Sequence, residues 1–198
     1  LLDDFEPEER TANVARVLKE LRERLVPLVA ELAGARRQPD RSLLSRHVPA
    51  DVQDAFGRQA AGAIGFDFAH GRLDVTAHPF CTGLGPCDTR ITTRYDEDFF
   101  PSALFGILHE AGHGIYEQGL PAEHWGLPLG ESVSLGIHES QSRLWENMVG
   151  RSHAFWEYFH PIARQHFGSA FDDIRLDAFH FAVNEVRPSL IRVEADEV

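Results

Sequence analysis

The first third of the chain carries a helical pattern of apolar positions. Between residues 7 and 35, apolar side chains recur at intervals of three and four, as one face of a helix requires: Val14, Val17, Leu18, Leu21, Leu25, Leu28, Val29 and Leu32. Pro27 is expected to kink or divide this helix, because proline lacks a backbone N–H. Asp40 is placed to cap a second, shorter helix, and a third is predicted from residue 49 to residue 64, ending near Gly65.

The segment from residue 71 to residue 95 follows a different pattern. Threonine and isoleucine at residues 89–95 suit a strand, and residues 72–76 form a second candidate strand. Pro79, Gly83, Gly85 and Pro86 lie between the two, as is typical of a loop. We therefore expect a small β-sheet or hairpin around residues 72–95.

Two helices are predicted in the middle of the chain. Pro101 follows Asp98 closely, which is typical of a first helical turn, and Gly119 is a natural stop after Gln118. A loop at residues 121–128 should lead to a second helix over residues 130–149. The segment from residue 153 to residue 190 is rich in aromatic side chains, which are expected to be buried in further helices. The predicted fold class is mainly α.

Composition and charge narrow the classes of function. A chain of 198 residues with 43% hydrophobic residues is expected to form a single domain, and its 31 acidic against 19 basic residues argue against a nucleic-acid partner. No run approaches the roughly 18 apolar residues that span a bilayer, and residues 1–6 do not resemble a signal peptide. We expect no membrane partner, a cytoplasmic location and reduced thiols at Cys81 and Cys87.

The sequence His-Glu-Ala-Gly-His at residues 109–113 carries the candidate chemistry. On a helix, His109 and His113 present two imidazoles on one face, one turn apart, which is metal-ligand spacing. Glu110 is rotated by about 100° from His109, so that its carboxylate could take a proton from a zinc-activated water. Catalytic zinc needs a third protein ligand, and Glu139 on the next predicted helix supplies an acidic donor. The alternative is a helix whose histidines and glutamates merely face water.

Further motifs give the chain a family resemblance. They are His-Pro-Phe at residues 78–80, Asp-Thr-Arg-Ile-Thr at 88–92, His-Glu-Ser-Gln at 138–141 and Ile-Arg-Val-Glu-Ala-Asp at 191–196. With the 109–113 motif, they occur in the same order as in the thermostable carboxypeptidase Taq family, which the chain resembles over essentially its whole length. The resemblance implies a zincin-like helical metallopeptidase core, dependence on zinc or cobalt, and removal of single residues from peptide C-termini.

Members of that family are far longer, and their downstream Gly-x-x-Gln-Asp-x-His-Trp motif has no counterpart here. We therefore expect residues 1–198 to be a single catalytic domain, truncated at both ends relative to the family. The expected partners are peptides with a free C-terminus, and a homodimer is a candidate assembly. Two alternatives stay open: a non-catalytic or weakly active metal-binding remnant, and a metallo-endopeptidase.

Spacing and resemblance together assign His109, His113 and Glu139 as metal ligands and Glu110 as the general base. Arg90 and Arg192 are candidates for binding the substrate carboxylate, because a guanidinium suits a carboxylate. Otherwise Arg90 pairs with Asp88 or Glu97, and Arg192 with Asp196. His138 could donate to the substrate carbonyl, or could serve as a support behind a ligand or as a surface residue. His78 is expected to order the 71–95 segment through a hydrogen bond.

Overall fold

The computed structural model describes residues 1–186 and is mainly helical. Its α-helices are α1 (Leu2–Phe5), α2 (Thr11–Ala33), α3 (Ala50–Ile64), α4 (Phe100–Gln118), α5 (Leu135–Arg143), α6 (His153–Phe167) and α7 (Leu176–Val183). Single 3₁₀ turns lie at Arg41–Leu43, Ala122–His124, Pro128–Gly130 and Gly168–Ala170, and a π-helical turn at Leu144–Val149 continues α5. The mainly α fold class predicted from the sequence is confirmed.

Local signals explain several of these boundaries. The Asp40 side chain accepts a hydrogen bond from the backbone N–H of Ser42, so Asp40 caps the Arg41–Leu43 turn as predicted. Helix α3 ends at Gly65, which has a positive φ of 115° that glycine adopts readily. Helix α4 contains a proline in its first turn and ends before Gly119, again as predicted.

A three-stranded sheet forms from β1 (Gly71–Val75), β2 (Cys81–Gly85) and β3 (Asp88–Thr93) in the described part of the chain. The strand order is β1-β3-β2, with β3 parallel to β1 and antiparallel to β2. The sheet at residues 72–95 was expected, but β2 falls where a loop was predicted. Main-chain pairing of Cys81 with Ile91 and of Gly83 with Thr89 outweighs the low strand propensity of the glycines.

The core lies on both sides of α4. On one side, α3, α6 and α7 enclose an aromatic cluster in which Phe56, Phe100, Trp156, Phe171 and Phe179 are almost fully buried. On the other side, a smaller cluster fills the space between α4 and the sheet; it contains Ala61, Phe66, Leu73, Ile91, Ile107 and Ala111. Helix α4 is therefore fixed in position from two directions. The prediction that the aromatic segment after residue 153 is buried holds for most of its members, with Tyr158 exposed.

A close helix–helix contact brings α5 against α4. A Cβ atom built on Gly112 would lie 2.6 Å from the carbonyl oxygen of Gln141 and 2.7 Å from the Cα of Ser142. Only glycine permits this backbone approach, and Ser142 is completely buried in the contact. Gly112, inside the His-Glu-Ala-Gly-His segment, thus marks a packing contact between α4 and α5.

Two helix predictions need correction. Helix α5 begins at Leu135 rather than at residue 130, because the Ser134 side chain accepts from the N–H of Ile137 and caps the helix there. Its apolar residues Leu135 and Ile137 are exposed, and the small buried Ser142 forms the contact with α4. Pro27 lies inside α2 without dividing the helix.

Helix α2 carries its apolar face on the surface. None of its residues is buried, and exposed large side chains include Val17, Leu18, Leu21, Leu25 and Leu28. Over residues 1–186, none of the helices combines the length and apolar character that crossing a bilayer requires. The 191–196 motif, with Arg192, lies outside the described residues.

Candidate active site

Two histidines of α4 and one glutamate of α5 meet at the contact between these helices. The Nε2 atom of His113 lies 3.2 Å from Oε2 of Glu139, and Nε2 of His109 lies 3.7 Å from the same oxygen. One ligand atom from each of the three residues falls within 4.8 Å of the others. Within residues 1–186, this is the group of His, Cys, Asp and Glu side chains arranged to hold a metal ion.

The donor atoms fit a zinc ion in both spacing and chemistry. Zinc bonds to imidazole nitrogen and carboxylate oxygen at about 2.0–2.2 Å, so a tetrahedral site separates its donors by about 3.3–3.6 Å. The observed separations of 3.2 and 3.7 Å bracket that range. Two imidazoles and one carboxylate leave the fourth position for water or substrate, as a catalytic zinc site requires.

The outer nitrogen of His109 faces a second glutamate. Its Nδ1 lies 2.9 Å from Oε2 of Glu146, which sits in the π turn after α5. Burial lowers the pKa of His109, but the hydrogen bond to Glu146 and the nearby charges of Glu110 and Glu139 outweigh burial, so the pKa is raised. Burial raises the pKa of Glu146, while the bond to His109 and the neighbouring positive charges outweigh it, so that pKa is lowered.

The outer nitrogen of His113 faces a third histidine. Its Nδ1 lies 2.5 Å from Nδ1 of His138, and Nε2 of His138 lies 2.7 Å from Oε1 of Glu117. Burial, followed by the positive charges of His109 and His138, lowers the pKa of His113 to about 4. His113 is therefore neutral near pH 7, which is the form that binds a metal ion.

Arg143 forms an ion pair with Glu139, the third candidate ligand. Its Nε donates to Oε1 of Glu139 over 2.8 Å, and its NH1 group lies 3.1 Å from Oε2 of Glu146. Burial raises the pKa of Glu139, but the charges of His109 and Arg143 outweigh it and lower the pKa. Glu139 is therefore a carboxylate, with Oε1 directed at Arg143 and Oε2 at the histidines.

Glu110 lies at the junction of two cavities. It is buried, with 7% of its surface exposed, and it lines both cavities together with His109. One cavity, of about 380 Å³, continues past Phe105 toward Arg143 and Arg151. The other, of about 500 Å³, continues past Phe80, Cys81, His113 and Glu139. A group bound between the two cavities would contact the Glu110 carboxylate.

The cysteines play no part in this arrangement as a disulfide. Both are free, as expected. Burial, then the negative charges of Glu110 and Glu117, raises the pKa of the Cys81 thiol, so it stays protonated at neutral pH.

Comparison with known proteins decides the family. The family model described as carboxypeptidase Taq (M32) metallopeptidase matches residues 1–198. The chain belongs to the M32 metallopeptidase family. It is 56% identical to thermostable carboxypeptidase 1 of Thermus thermophilus and 42% identical to carboxypeptidase 1 of Bacillus subtilis, over 198 residues in each case. The M32 carboxypeptidase structure from Deinococcus radiodurans R1 superposes with a TM-score of 0.92 at 45% identity, covering 98% of this chain and 39% of that one.

These matches cover all of this chain but only part of each relative. The chain spans 39% of the Thermus thermophilus protein and 40% of the Bacillus subtilis protein. The M32 metallopeptidases named here are thus considerably longer than the 198 residues.

Arg90, a candidate substrate residue, lies apart from the two cavities. Arg90 is on β3 and forms a two-point ion pair with Asp88, one of the alternatives raised by the sequence, and it lines neither cavity beside the site. His78 lines the smaller cavity, and its backbone carbonyl accepts a hydrogen bond from Thr76, which orders this segment. The candidate role of Arg192 falls on residues that the structure does not describe.

Sequence reasoning missed Arg143 and Glu146, which contact candidate ligands, and Glu117, which contacts His138. Arg143 and Glu146 follow Glu139 by four and seven residues, a spacing that returns to the same helical face. That periodicity was a usable signal for both. Nothing in the local sequence distinguishes Glu117 from an ordinary surface glutamate near a helix end.

Proposed function

We propose that this chain is the metal-binding and general-base portion of a zinc-dependent carboxypeptidase, which releases C-terminal residues from peptides. The observation that carries the proposal is that the buried Glu110 lines the same cavity as the group formed by His109, His113 and Glu139. Membership of a family of metallopeptidases supports it. Zinc is the proposed metal because the donors are two imidazoles and one carboxylate, and both imidazole-to-carboxylate separations are close to tetrahedral spacing, with cobalt as the alternative.

His109, His113 and Glu139 would hold the zinc ion. When bound, zinc polarises a peptide carbonyl and lowers the pKa of a bound water toward roughly 7. Glu110 is the proposed general base: its carboxylate takes a proton from the attacking water and then delivers it to the leaving amine nitrogen. Burial of Glu110 limits competing contact with bulk water, and its place at the junction of the two cavities puts it beside a peptide bond lying across them.

The substrates proposed are peptides with a free C-terminal carboxylate. The two arginines that line the smaller cavity, Arg143 and Arg151, both pair with carboxylates of the site, Arg143 with Glu139 and Arg151 with Glu146. Arg90 and Arg192 are the proposed groups for binding the substrate carboxylate, because a planar guanidinium suits a carboxylate. For Arg90 this requires an exchange of its partner Asp88 for the substrate. A homodimer is the proposed assembly.

The test is a comparison of paired peptides at measured zinc content. One peptide of each pair carries a free C-terminus, and the other carries an amide in its place. We expect about one zinc ion per chain and hydrolysis of the free peptide alone. Equal cleavage of both peptides would instead indicate an endopeptidase, and zinc binding without turnover of either would indicate a non-catalytic metal-binding remnant.

The role of Arg90 has a separate test. Arg90→Ala should raise KM for the free peptide while zinc content stays at the wild-type level, because Arg90 does not contact the ligands. Arg72→Ala is the matched control, since Arg72 pairs with Asp74 on the neighbouring strand in the same way. Equal KM values for the two variants would remove Arg90 from the proposal.

A further inference from the structure

We propose that Glu146 and the pair His138 and Glu117 are positioning residues, which determine the nitrogen through which each histidine binds the metal ion. The inference rests on the proposed function, because it assumes that His109 and His113 bind zinc. It gives stated tasks to Glu146, Glu117 and Arg143, which the sequence motifs did not supply, and chooses the supporting role among the alternatives for His138.

The first arm is the pair of Glu146 and His109. A carboxylate can only accept a hydrogen bond, so Nδ1 of His109 must donate across the 2.9 Å to Oε2 of Glu146. A neutral imidazole with its proton on Nδ1 has its lone pair on Nε2. That is the nitrogen directed toward Oε2 of Glu139, and so toward the metal position.

The second arm is a chain of three side chains behind His113. A carboxylate can only accept, so Nε2 of His138 donates to Oε1 of Glu117 over 2.7 Å, and Nδ1 is the nitrogen of His138 that can offer a lone pair. That lone pair accepts from Nδ1–H of His113 over 2.5 Å. Nε2 of His113 is then left as the lone-pair nitrogen, 3.2 Å from Oε2 of Glu139. Both arms therefore select the same tautomer.

The environment of His138 supports positioning over direct contact with substrate. Both of its ring nitrogens are engaged in this chain. Its ring also packs against His113, with 4.6 Å between centroids, and edge-on against Tyr116, with 5.2 Å between centroids. The ring is held between α4 and α5 and has no nitrogen left to offer a substrate carbonyl.

Arg143 completes the arrangement from the side of the acidic ligand. Because it occupies Oε1 of Glu139, only Oε2 is directed toward the histidines, which favours coordination through a single oxygen. Arg143 also contacts Glu146, so one guanidinium connects the ligand and the support of His109. Together, Glu146, the pair of His138 and Glu117, and Arg143 restrict His109, His113 and Glu139 to one donor atom each.

The experiment measures zinc affinity and imidazole tautomers in the full 198-residue chain. Glu146→Ala and His138→Ala each remove a partner, whereas Glu146→Gln and His138→Gln keep an oxygen that can accept from the ligand histidine. Loss of such outer partners typically weakens metal binding about 10–100-fold, so we expect losses of that size for the alanine variants and clearly smaller losses for the glutamine variants. Affinity is measured by competition with a chelator of known zinc affinity.

A matched control is available on α6. Glu157 lies 3.3 Å from Nδ1 of His153 in an exposed pair, so Glu157→Ala removes a glutamate from a histidine that is not a ligand. Its zinc affinity should equal that of the wild type. Unfolding of the zinc-free proteins is measured in parallel, because a purely structural role of Glu146 in its contacts with Arg143 and Arg151 would lower stability and leave the zinc affinity of the folded chain unchanged.

Nitrogen-15 NMR of the imidazoles in the wild-type chain gives a readout that needs no variant. After zinc addition, His109 and His113 should show coordinated Nε2 and protonated Nδ1. Coordination through Nδ1 in either residue would overturn the proposal, as would alanine variants that bind zinc as tightly as the wild type. If the wild-type chain itself binds no zinc, the proposed function fails together with this inference. If the wild-type chain binds zinc and the alanine variants bind it equally tightly, the proposed function stands and this inference alone is lost.

Discussion

The contact at Gly112 leads to a prediction whose sign is unusual. Replacing glycine by alanine inside a helix normally stabilises a protein by about 1 kcal/mol, because alanine has the higher helix propensity. At Gly112 the added Cβ would lie 2.6 Å from the backbone oxygen of Gln141, whereas ordinary contacts begin at 3.4 Å. The two helices would have to separate by about 0.8 Å, which is the difference between these two distances.

The separation should affect stability and metal binding together. Overpacking of this kind costs about 1–3 kcal/mol, so after the gain in propensity the Gly112→Ala variant should lose about 0–2 kcal/mol in its free energy of unfolding. Glu139 lies on the displaced helix, and a shift of about 0.8 Å exceeds the roughly 0.2 Å tolerance of metal–ligand distances. We therefore expect zinc affinity to fall by at least about tenfold, in the range seen for disturbed ligand supports.

Gly106 supplies the control, because it lies on the same helix with room for a Cβ. The nearest atom to a Cβ there would be Oγ1 of Thr93 at 3.6 Å, an ordinary contact. Gly106→Ala should be neutral or more stable than wild type, which puts the two variants about 1–3 kcal/mol apart, or about 2–12 °C in Tm. Thermal unfolding and chelator competition measure both effects. Equal stability and equal zinc affinity for the two alanine variants would refute the packing argument.

Three further predictions follow from the site and the surface. Glu110→Gln should keep full zinc content and lose about 10²–10⁴-fold in kcat, measured at equal zinc occupancy, and half-retained activity would exclude Glu110 as the base. Zinc affinity should fall as pH decreases through the raised pKa of His109, whose proton competes with the metal, while His113, with a pKa of about 4, should not compete above pH 5. Calorimetric titration with zinc, in buffers of different ionisation enthalpy, should then show that binding releases no more than about one proton near pH 6. Release of two protons would contradict the prediction. Replacing both Leu21 and Leu25 by glutamate removes apolar surface from the exposed face of α2, so it should reduce self-association in sedimentation velocity without lowering Tm. Unchanged sedimentation would show that this face is not the contact between copies of the chain.

Elements with strong local signals were predictable from the sequence. Helix α4 has a proline in its first turn and a glycine after its last, and the two histidines share a face because of helical spacing alone. The aromatic segment after residue 153 was predictable as core for a different local reason, because its side chains are large and apolar. The candidate acidic ligand, Glu139, was proposed from the spacing together with the family resemblance, and the structure brings it close to His109 and His113.

Elements that depend on tertiary contacts were not predictable. Strand β2 contains two glycines and resembles a loop until β3 pairs with it. Helix α5 starts where the Ser134 side chain caps it. The sequence alone does not show which of the turn-forming residues before the helix serves as the cap. Glu117 and Glu146 contact histidines that lie 21 and 37 residues away, so their roles appear only when α4 and α5 are packed together.

The π turn at Leu144–Val149 has a consequence for how this site can change in evolution. Its backbone includes a bond from the N–H of Gly150 to the carbonyl of Trp145, one residue wider than the α-helical spacing. Deleting one residue between Glu139 and Glu146 would rotate the latter by about 100° around the helix axis and carry its carboxylate away from His109. Glu139 would stay in place, while His109 would lose the carboxylate that accepts from its Nδ1. On the proposed role of Glu146, a single insertion or deletion, with no substitution at a candidate ligand, is therefore enough to give a descendant of this sequence a weaker and more exchangeable metal site.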